Sequence, residues 1–482
     1  MINNLALLLG IYSSISLNFL PHSRKIVRYR QIYNQLQGIL FTSMSQTSFK
    51  QRKVEYALTE NLALFGYSIV ILLACLPLLL FWVIQFVRRQ PAFDLHRLSR
   101  FSLYLASPVK TTELLIHCVS VGEVNVAANL VKILRKTSPD ISITVTTTTP
   151  TGAENAKRFL PDDVQHLYLP IDLGWMMSRL IQQVKPKQVL IVEVELWPNM
   201  IRQCQKAGIP VSLINGRMTD KSAKSYQKLS LLFAPMLRSL CQVCAQGQRD
   251  YENYTRLGMA TDKLTYTGNI KFDLDIQVQA EAKLLGEMLT TLQRPIVIAG
   301  STHEPEEQVI LDTAKLLKNS YSNILWLIVP RHPQRFEKVN SLVSESDLKS
   351  TQVSISSQIT PETDILLVDK MGVLSGLYPI ADIAFVGGSI AQRGGHNALE
   401  PAAAGVPSIM GPSRYNNPTI CEVLEESGSL KLASNSQELA RQVSAWLDNK
   451  SDCRQAGESG AAVVQANQGA TLKSLRTIEL LK

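Results

Sequence analysis

Short apolar runs that alternate with helical patterns occur in two series, and this alternation restricts the possible folds more than any other feature of the chain. The β-rich runs of the first series lie at 114–119, 143–149, 164–169, 188–194, 210–214, 242–246 and 264–267. A polar, helix-like stretch intervenes, and the second series lies at 295–299, 324–329, 365–368, 383–386 and 408–410. Strands that alternate with helices predict a parallel sheet covered on both faces. We therefore expect two doubly wound α/β domains, at 112–275 and 294–482.

The length and composition agree with this division. The chain has 482 residues, of which 45% are hydrophobic and 18% charged, so two domains with proper cores are possible. In open α/β sheets, ligands bind outside the carboxyl ends of the strands. Two such domains joined by a short linker would face a shared cleft. We therefore expect the binding residues to follow strand ends.

The net charge of +9 would suit either nucleic acid or an anionic membrane surface. The basic residues are dispersed, however, and no recognised nucleic-acid-binding motif is present. A membrane surface is therefore the better prediction, and we expect no nucleic-acid partner.

A stretch without Lys, Arg, Asp or Glu at 62–86 predicts a membrane helix. It is long enough to cross a bilayer, whereas a buried helix of a soluble protein usually keeps a polar face. We place one transmembrane helix at 62–87. Basic residues flank both of its ends, and the positive-inside rule slightly favours cytoplasmic C-terminal domains. The seven scattered cysteines, interpreted as free and reduced thiols, agree with that side.

Residues 1–61 form an N-terminal extension that is harder to interpret. Residues 5–19 are apolar, but their basic residues follow rather than precede them, and no convincing cleavage site for a signal peptide is present. Met44 begins a sequence that resembles an ordinary start. Residues 1–43 are therefore a candidate for a misassigned start, which a mature peptide covering 18–25 would exclude.

The segment at 387–401 combines a glycine loop with a carboxylate in a predicted first helical turn. Gly388 and Ser389 let a ligand approach the backbone closely, and a helix N-terminus offers N–H groups to phosphate. Glu400 can accept hydrogen bonds from a ribose. Alternatively, Asn397 and Glu400 form a capping box that needs no ligand. Both interpretations can hold together.

Three carboxylates follow strands of the first series. Glu123 lies at a predicted helix start, where it can take a proton from an attacking hydroxyl or simply interact with the helix dipole. Alternation places Glu193 and Glu195 on one face of the strand predicted at 188–194. An exposed edge would explain them, but two carboxylates at the end of an interior strand are costly to bury without partners. The pattern therefore favours a functional site.

Basic and small residues follow other strand ends, where an anionic substrate would lie. Arginine offers a fork that suits carboxylate or phosphate, and a turn before a helix offers N–H groups. The candidates are Arg217, Lys271, Ser301, Arg331, His332, Met371 and Gly372. Each is alternatively an ordinary loop charge or helix cap. Since the sequence contains no Walker loop, no early GxGxxG and no acidic triplet with metal-ligand spacing, we expect neither a metal ion nor a nicotinamide.

As a set, these motifs resemble those of the 3-deoxy-D-manno-octulosonic acid (Kdo) transferases in order and spacing. The matching segments are 120–123, 148–152, 193–199, 268–273, 301–304, 330–333, 387–389 and 396–401. The resemblance implies a GT-B glycosyltransferase with two Rossmann-like domains that face a cleft, preceded by an N-terminal transmembrane anchor. It implies an inverting, metal-independent transfer of Kdo from CMP-Kdo to a lipid A precursor at the cytoplasmic face of the inner membrane.

The resemblance also implies roles for individual residues. Glu123 would be the general base, and Glu193 or Glu195 would orient the acceptor or the reacting centre. Arg217 and Lys271 are candidates for binding the Kdo carboxylate or a lipid phosphate. The residues expected against CMP are Ser301, Arg331, His332, Met371, Gly372, Gly388, Ser389, Asn397 and Glu400. CMP-Kdo would be a donor substrate, so no cofactor is expected.

Two alternatives stay open. One is a GT-B enzyme that uses another CMP- or UDP-activated sugar, as a transferase or an epimerase, although an epimerase has no use for a membrane helix. The other is a non-catalytic, membrane-bound scaffold that keeps the fold. The three carboxylates count against the scaffold, because it needs none of them.

Overall fold

The computed structural model describes residues 54–87, 100–102, 108–274 and 278–481. The chain divides into two compact units, of which the first contains Ser48–Asp275 with Asn467–Lys482 and the second contains Ile276–Ala466. Most of the predicted N-terminal extension, including the possible start at Met44, lies outside the described residues.

The first unit contains a long N-terminal helix and a seven-stranded sheet. Helix α1 spans Leu58–Val87. The strands are β1 (Leu114–His117), β2 (Ile143–Thr147), β3 (Gln165–Tyr168), β4 (Gln188–Val192), β5 (Val211–Gly216), β6 (Gln242–Ala245) and β7 (Leu264–Tyr266). The helices that connect them are α2 (Val121–Thr137), α3 (Pro150–Phe159), α4 (Gly174–Val184), α5 (Pro198–Lys206), α6 (Asp220–Lys228), α7 (Ser230–Ser239) and α8 (Gln248–Arg256). All neighbouring strands are parallel, in the order β3-β2-β1-β4-β5-β6-β7.

Helices cover both faces of this sheet, which explains why the apolar runs are nearly continuous in sequence. Leu114 and Ile116 of β1 pack into one hydrophobic cluster, together with residues of α2. Leu115, which lies between them in sequence, packs into the cluster on the opposite face with residues of α4 and α5. Successive side chains of a strand point to opposite faces, so both faces require apolar residues.

The second unit repeats the design. Its strands are β8 (Ile296–Thr302), β9 (Leu325–Pro330), β10 (Ser350–Gln352), β11 (Ile365–Leu367), β12 (Ile383–Val386), β13 (Ser408–Met410) and β14 (Leu430–Leu432). Its helices are α9 (Ala280–Thr290), α10 (Glu306–Lys318), α11 (Phe336–Ser344), α12 (Leu374–Leu377), α13 (Leu399–Ala403), α14 (Pro418–Glu426), α15 (Ser436–Asp448) and α16 (Lys450–Asn467). The strands are all parallel, in the order β10-β11-β9-β8-β12-β13-β14.

The final helix corrects the predicted boundary of the second domain. Helix α17 (Ala470–Thr477) packs in the first unit, where Ala470 and Leu475 join the hydrophobic cluster of β1 and α2. Asp273 fixes its N-terminus, because the carboxylate accepts hydrogen bonds from the N–H groups of Gly469 and Thr471, both at 2.6 Å. The second unit therefore does not extend to residue 482.

Helix α1 begins four residues before the transmembrane helix predicted at 62–87 and ends where that prediction ends. Its segment Leu58–Cys75 has a mean hydropathy of 1.7 and is long and apolar enough to cross a membrane. All seven cysteines are free, as the sequence predicted.

Candidate active site

The first sheet reverses its winding direction between β1 and β4, since the chain runs outward to β3 and then returns to the other side of β1. In open α/β sheets, the crevice outside the carboxyl ends of the strands at such a switch point is the usual ligand site. Glu123 follows β1 there, and Glu193 and Glu195 follow β4. The three carboxylates predicted from sequence therefore lie together.

Glu123 occupies the first turn of α2 and completes a capping box with Ser120. Its Oε2 accepts hydrogen bonds from the N–H groups of Val119 and Ser120, the second at 3.4 Å. Only 6% of the residue is exposed. Burial is the largest cause that raises the pKa of this carboxyl to about 7, and the negative charges of Glu193 and Glu195 raise it further. Glu123 therefore caps helix α2 and also has a raised pKa.

The strand that carries the other two carboxylates is shorter than predicted. It ends at Val192, and Glu193 lies in the following turn with φ of 62°. Because this left-handed conformation breaks the alternation of side chains, the prediction that Glu193 and Glu195 share a strand face is wrong. Both still act electrostatically on Glu123, and burial together with Glu193 raises the pKa of Glu195.

Lys271 lies against this acidic cluster. Its Nζ is 2.8 Å from Oε1 of Glu193, which is 9% exposed. The lysine belongs to a short 3₁₀ helix, Ile270–Phe272, whose Ile270 N–H donates to the side-chain Oδ1 of Asn215 at 3.0 Å. The end of β5 thereby fixes the segment that carries Lys271.

Arg217 follows the same strand end. Its backbone N–H donates to the carbonyl of Glu193 at 3.3 Å, so the turns after β4 and β5 are joined. Its guanidinium charge also acts on Asp250. The structure places Arg217 beside the acidic turn, where the sequence predicted a substrate contact.

A buried histidine that the sequence analysis did not select supports the acidic turn. The indole Nε1 of Trp197 donates to His117 Nε2 at 3.1 Å, and His117 Nδ1 lies 3.0 Å from Thr146 Oγ1. Because indole is only a donor, His117 Nε2 must be unprotonated and Nδ1 carries the hydrogen. Complete burial lowers the pKa of His117 to about 3, so the ring stays neutral. Its position at the end of β1, directly before the Glu123 motif, was the available signal.

The second sheet has its switch point between β8 and β12. Ser301 and Thr302 end β8, and Gly387 follows β12. A Cβ on Gly387 would collide with the carbonyl of Ser301, so only glycine permits this close approach of two backbones. Ser301 itself has φ of 56° and is 8% exposed. The predicted glycine loop therefore lies at the position where a nucleotide site is expected.

The N–H groups of this loop already have an anionic partner. The carboxylate of Glu306, at the start of α10, is completely buried and was not selected from the sequence. It accepts backbone hydrogen bonds at 2.8 to 3.2 Å from His303, Gly388, Ser389, Ile390 and Ala391. Gly388 and Ser389 thus bind Glu306 through their N–H groups, and a direct nucleotide contact by these two residues stays a prediction.

Histidines and arginines surround the same strand ends. His303 Nε2 lies 2.8 Å from His396 Nε2, and the ring of His332 meets His303 edge to face at 5.4 Å between centroids. Burial is the main cause that lowers the pKa of His303 to about 4 and that of His396 to about 3, and nearby cations add to it. One ring of the contacting pair must therefore donate and the other accept.

The cations around these rings are Arg331, Arg335 and Arg393. Arg335 is held by Glu307 in a two-pronged ion pair at 2.6 and 3.0 Å. Among the residues that the structure describes, no carboxylate lies within 4.0 Å of Arg331 or Arg393. This end of the sheet therefore has positive charge available for an anion. Within the same described ranges, no group of three or more His, Cys, Asp or Glu side chains is arranged to hold a metal ion.

Asn397 and Glu400 form a different arrangement from the predicted capping box. Asn397 Oδ1 accepts from the N–H of Leu399 at 3.2 Å, and its amide donates to Glu400 Oε1 at 3.2 Å. Ser375 Oγ donates to Glu400 Oε2 at 2.9 Å. A carboxylate has about four acceptor sites, so Glu400 is fixed in position but can still accept further hydrogen bonds.

Met371 and Gly372 precede α12, as predicted, with Met371 41% exposed and Gly372 at φ of 84°. However, α12 has four residues and α13 has five. Helices this short sum few peptide dipoles, so their N-termini offer little of the expected anion stabilisation. The arginines, rather than helix ends, carry the positive charge at this site.

Comparison with known proteins identifies the family. A family model described as 3-deoxy-D-manno-octulosonic-acid transferase (kdotransferase) matches residues 96–274. The 3-deoxy-D-manno-octulosonic acid transferase of Haemophilus influenzae is 38% identical over 417 residues, which are 86% of this chain and 96% of that relative. The enzyme of the same name from Rickettsia bellii is 32% identical over 359 residues, which are 73% of this chain and 84% of that relative.

Solved structures agree on the fold. The crystal structure of UDP-GlcNAc 2-epimerase from Neisseria meningitidis bound to UDP-GlcNAc matches with a TM-score of 0.51 at 14% identity, and the match covers 76% of this chain and all of that one. This likeness concerns the fold alone and confirms the prediction of two parallel-sheet domains of the GT-B type. On the evidence of its sequence relatives, the chain belongs to the 3-deoxy-D-manno-octulosonic acid transferase family of glycosyltransferases.

Proposed function

We propose that the chain transfers Kdo from CMP-Kdo to a hydroxyl of a lipid A precursor of the lipid IVA type, in lipopolysaccharide assembly. The acceptor oxygen attacks the anomeric carbon of Kdo while the bond to the CMP phosphate breaks, so the configuration inverts. The hydroxyl proton passes to a protein carboxylate, and the electron pair of the broken bond leaves on a phosphate oxygen. Family membership and the two switch-point sites support this proposal.

The observation that carries the proposal is the state of Glu123. A general base is most efficient when its pKa lies near the working pH, and burial beside two other carboxylates raises the pKa of Glu123 to about 7. Its carboxylate is oriented by the capping hydrogen bonds, which fix the position of the proton acceptor. In the proposed reaction, Glu123 deprotonates the acceptor hydroxyl, while Glu193 and Glu195 hold the acceptor and keep the pKa of Glu123 high.

The donor would be bound at the second switch point. Arg331 and Arg393 supply positive charge for the phosphate that leaves as CMP, which supports a reaction without a metal ion. Glu400, fixed by Ser375 and Asn397, would accept hydrogen bonds from the cytidine ribose. The remaining contacts that we propose for the nucleotide are Ser301, His332, Met371, Gly372, Gly388, Ser389 and Asn397.

Two cations of the first unit are proposed for the other anionic groups. Arg217 would bind the Kdo carboxylate or a phosphate of the lipid. Lys271 already pairs with Glu193, so binding of a substrate anion there would exchange or share that partner. Its place beside the acidic cluster supports a contact close to the reacting centre.

Helix α1 supports a membrane location for the acceptor reaction. Its apolar length suits a bilayer, and the net charge of +9 suits anionic lipids. We propose a single membrane pass with both units on the cytoplasmic side of the inner membrane, where the nucleotide-activated sugar would be available.

The test is an in vitro transfer assay with detergent-solubilised protein, CMP-Kdo and lipid IVA, followed by mass spectrometry of the lipid. The expected product carries at least one added Kdo, and EDTA should leave its rate unchanged. Titration with CMP-Kdo and UDP-GlcNAc separates the donor classes. Binding of UDP-GlcNAc without binding of CMP-Kdo would overturn the proposed donor, and absence of any transfer would favour the scaffold interpretation.

A further inference from the structure

The front half of α1 has two different faces, and one of them packs on the first unit. From Leu58 to Cys75 the side chains facing away are apolar and exposed. They include Leu58, Leu62, Phe65, Ile69, Leu72 and Leu73, at 42 to 76% exposure. The opposite face carries Glu60, Tyr67 and Ser68, which follow a helical spacing. The first unit provides partners for these polar side chains.

These partners lie on α5 and α7. Glu60 pairs with Arg238 of α7 through both carboxylate oxygens, at 2.8 and 2.9 Å. Just before the helix, the guanidinium of Arg202 stacks over the ring of Tyr56 at 4.0 Å. Farther along, Ser68 Oγ accepts from the side-chain amide of Asn199 at 3.1 Å. The first three turns of the helix are therefore fixed to the domain that carries the acidic cluster.

Asp172 connects α1 to the turn of Glu193 and Glu195. It is 2% exposed, and the Tyr67 hydroxyl lies near enough to act on its carboxylate. Its two carboxylate oxygens also accept the N–H groups of Asn199 and Met200, both at 2.9 Å. Asn199 lies four residues after Glu195 in the first turn of α5, so the carboxylate of Asp172 fixes the far end of the acidic segment.

The side-chain amide of Asn199 connects Asp172 to Ser68. Asn199 Nδ2 donates to the carbonyl of Asp172 at 2.7 Å as well as to Ser68, and Ser68 in turn donates to the carbonyl of Leu64 at 2.9 Å. Leu196 and Pro198 are buried, so a displacement at Asn199 would be passed along a packed segment to Glu195.

From this geometry we propose that α1 is a positioning element of the acidic site as well as an anchor, with Ser68 orienting the Glu195–Asn199 segment directly at Asn199 and Tyr67 orienting it through Asp172. The proposal rests on the transferase function proposed above. It predicts that loss of the Tyr67 and Ser68 hydroxyls slows the chemical step even where attachment to a membrane does not limit the rate.

The experiment compares Tyr67→Phe and Ser68→Ala with the wild-type chain in detergent micelles, at saturating CMP-Kdo and lipid IVA. Displacements of about 1 Å in an active site cost up to about 100-fold in rate, so we expect kcat for each variant to fall by about tenfold. The KM for CMP-Kdo should not change, and Ser68→Thr, which keeps the hydroxyl, should restore the rate. Rates are expressed per CMP-binding site, so that any loss of folded protein does not lower the measured kcat.

Glu60→Gln is the matched control, because it weakens an exposed contact of the same helix that does not touch the acidic segment. Its kcat should stay within about twofold of wild type. Equal loss in Glu60→Gln and Tyr67→Phe would overturn the positioning role, and so would wild-type kcat in Tyr67→Phe and Ser68→Ala. A wild-type chain that transfers no Kdo would instead refute the proposed function.

Discussion

Both units contain a seven-stranded parallel sheet with one switch point, although their strand orders differ, and the two switch points carry opposite charge. In the first, the crevice at the switch point holds three carboxylates, and burial together with mutual repulsion raises the pKa of Glu123 to about 7. In the second, arginines and three histidines with lowered pKa values follow the strand ends. One site is suited to accept a proton and the other to bind an anion. The fold fixes where a site lies, and the residues that follow the strands decide its chemistry.

The units also differ in the number of N–H groups that donate to a buried carboxylate. Glu123 has two N–H donors and two acidic neighbours, so its charged form is poorly stabilised. Glu306 has five N–H donors and supports the shape of a loop. The number of donors separates the carboxylate proposed as the general base from a structural one.

The largest expected effect is in the acidic site. Glu123→Gln should lower the transfer rate by about 10²- to 10⁴-fold, because it removes the proposed general base while keeping the shape of the side chain. CMP affinity should be unchanged, as measured by calorimetry. Near-normal turnover would refute the assigned role.

The same variant tests how far the raised pKa of Glu123 destabilises the folded protein. Since the folded-state pKa of Glu123, about 7, lies above its ordinary value of 4.5, the carboxyl opposes folding increasingly as the pH rises from about 4.5 through 7. Glu123→Gln should therefore melt at a higher temperature than wild type at pH 8, with a smaller difference at pH 5. Thermal denaturation followed by circular dichroism measures this.

Glu306→Gln should have the next largest effect, and on stability rather than chemistry. The amide removes the charge that assists five hydrogen bonds and puts an N–H₂ group beside backbone donors, which should cost about 3 kcal/mol or more of unfolding free energy. Urea denaturation measures it. Glu337→Gln, in the first turn of α11, is the control, and an equal loss in both variants would contradict the role of Glu306.

Arg331→Ala should weaken CMP binding by about 10- to 100-fold, the value of one charge-assisted hydrogen bond to phosphate. The rest of the fold should be unaffected, because Arg331 is exposed. Arg454→Ala removes another exposed arginine, one that pairs with Glu458 on α16, and should leave CMP affinity at the wild-type value. Calorimetric titration with CMP distinguishes the two, and wild-type affinity in Arg331→Ala would remove this residue from the donor site.

The smallest expected effect is a shift in the pH dependence of kcat/KM. The proposed mechanism requires ionised Glu123, so kcat/KM should rise as the pH increases through about 7. Glu193→Gln removes a negative charge that raises the pKa of Glu123, and it also removes the ion pair between Glu193 and Lys271. Both changes favour the ionised form, so the acid limb of the profile should move to lower pH by about one unit or less. A shift of the acid limb to higher pH would show that Glu193 does not raise the pKa of Glu123.

Sequence patterns located most of the fold because interior parallel strands are apolar on both faces. The strands Ile383–Val386 and Ser408–Met410 were predicted with their observed bounds. The edge strands Ser350–Gln352 and Leu430–Leu432 were missed, since each has three residues and is buried incompletely. Membership of α17 in the first unit was also missed, because it depends on contacts with β1 and Asp273 that are distant in sequence.

The candidate sites were predictable only as far as strand ends reveal them. Glu123 follows β1 in a recognisable motif, and the resemblance supplied its role. The turn at Glu193 was not predictable, since glutamate rarely adopts a positive φ and its presence therefore does not indicate such a turn. Glu306 lies in an acidic run that resembles an ordinary exposed helix start, and nothing local indicates that four N–H groups distant in sequence also donate to it.

The return of α17 to the first unit has a consequence for synthesis on the ribosome. Residues 114–266 emerge early and contain every strand of the first sheet, yet part of the core beside β1 is supplied by residues 470–478. The first unit can therefore collapse early, but its core is completed only after the whole second unit has been translated. Until then, the apolar surface beneath α17 is open to chaperones and to other nascent chains.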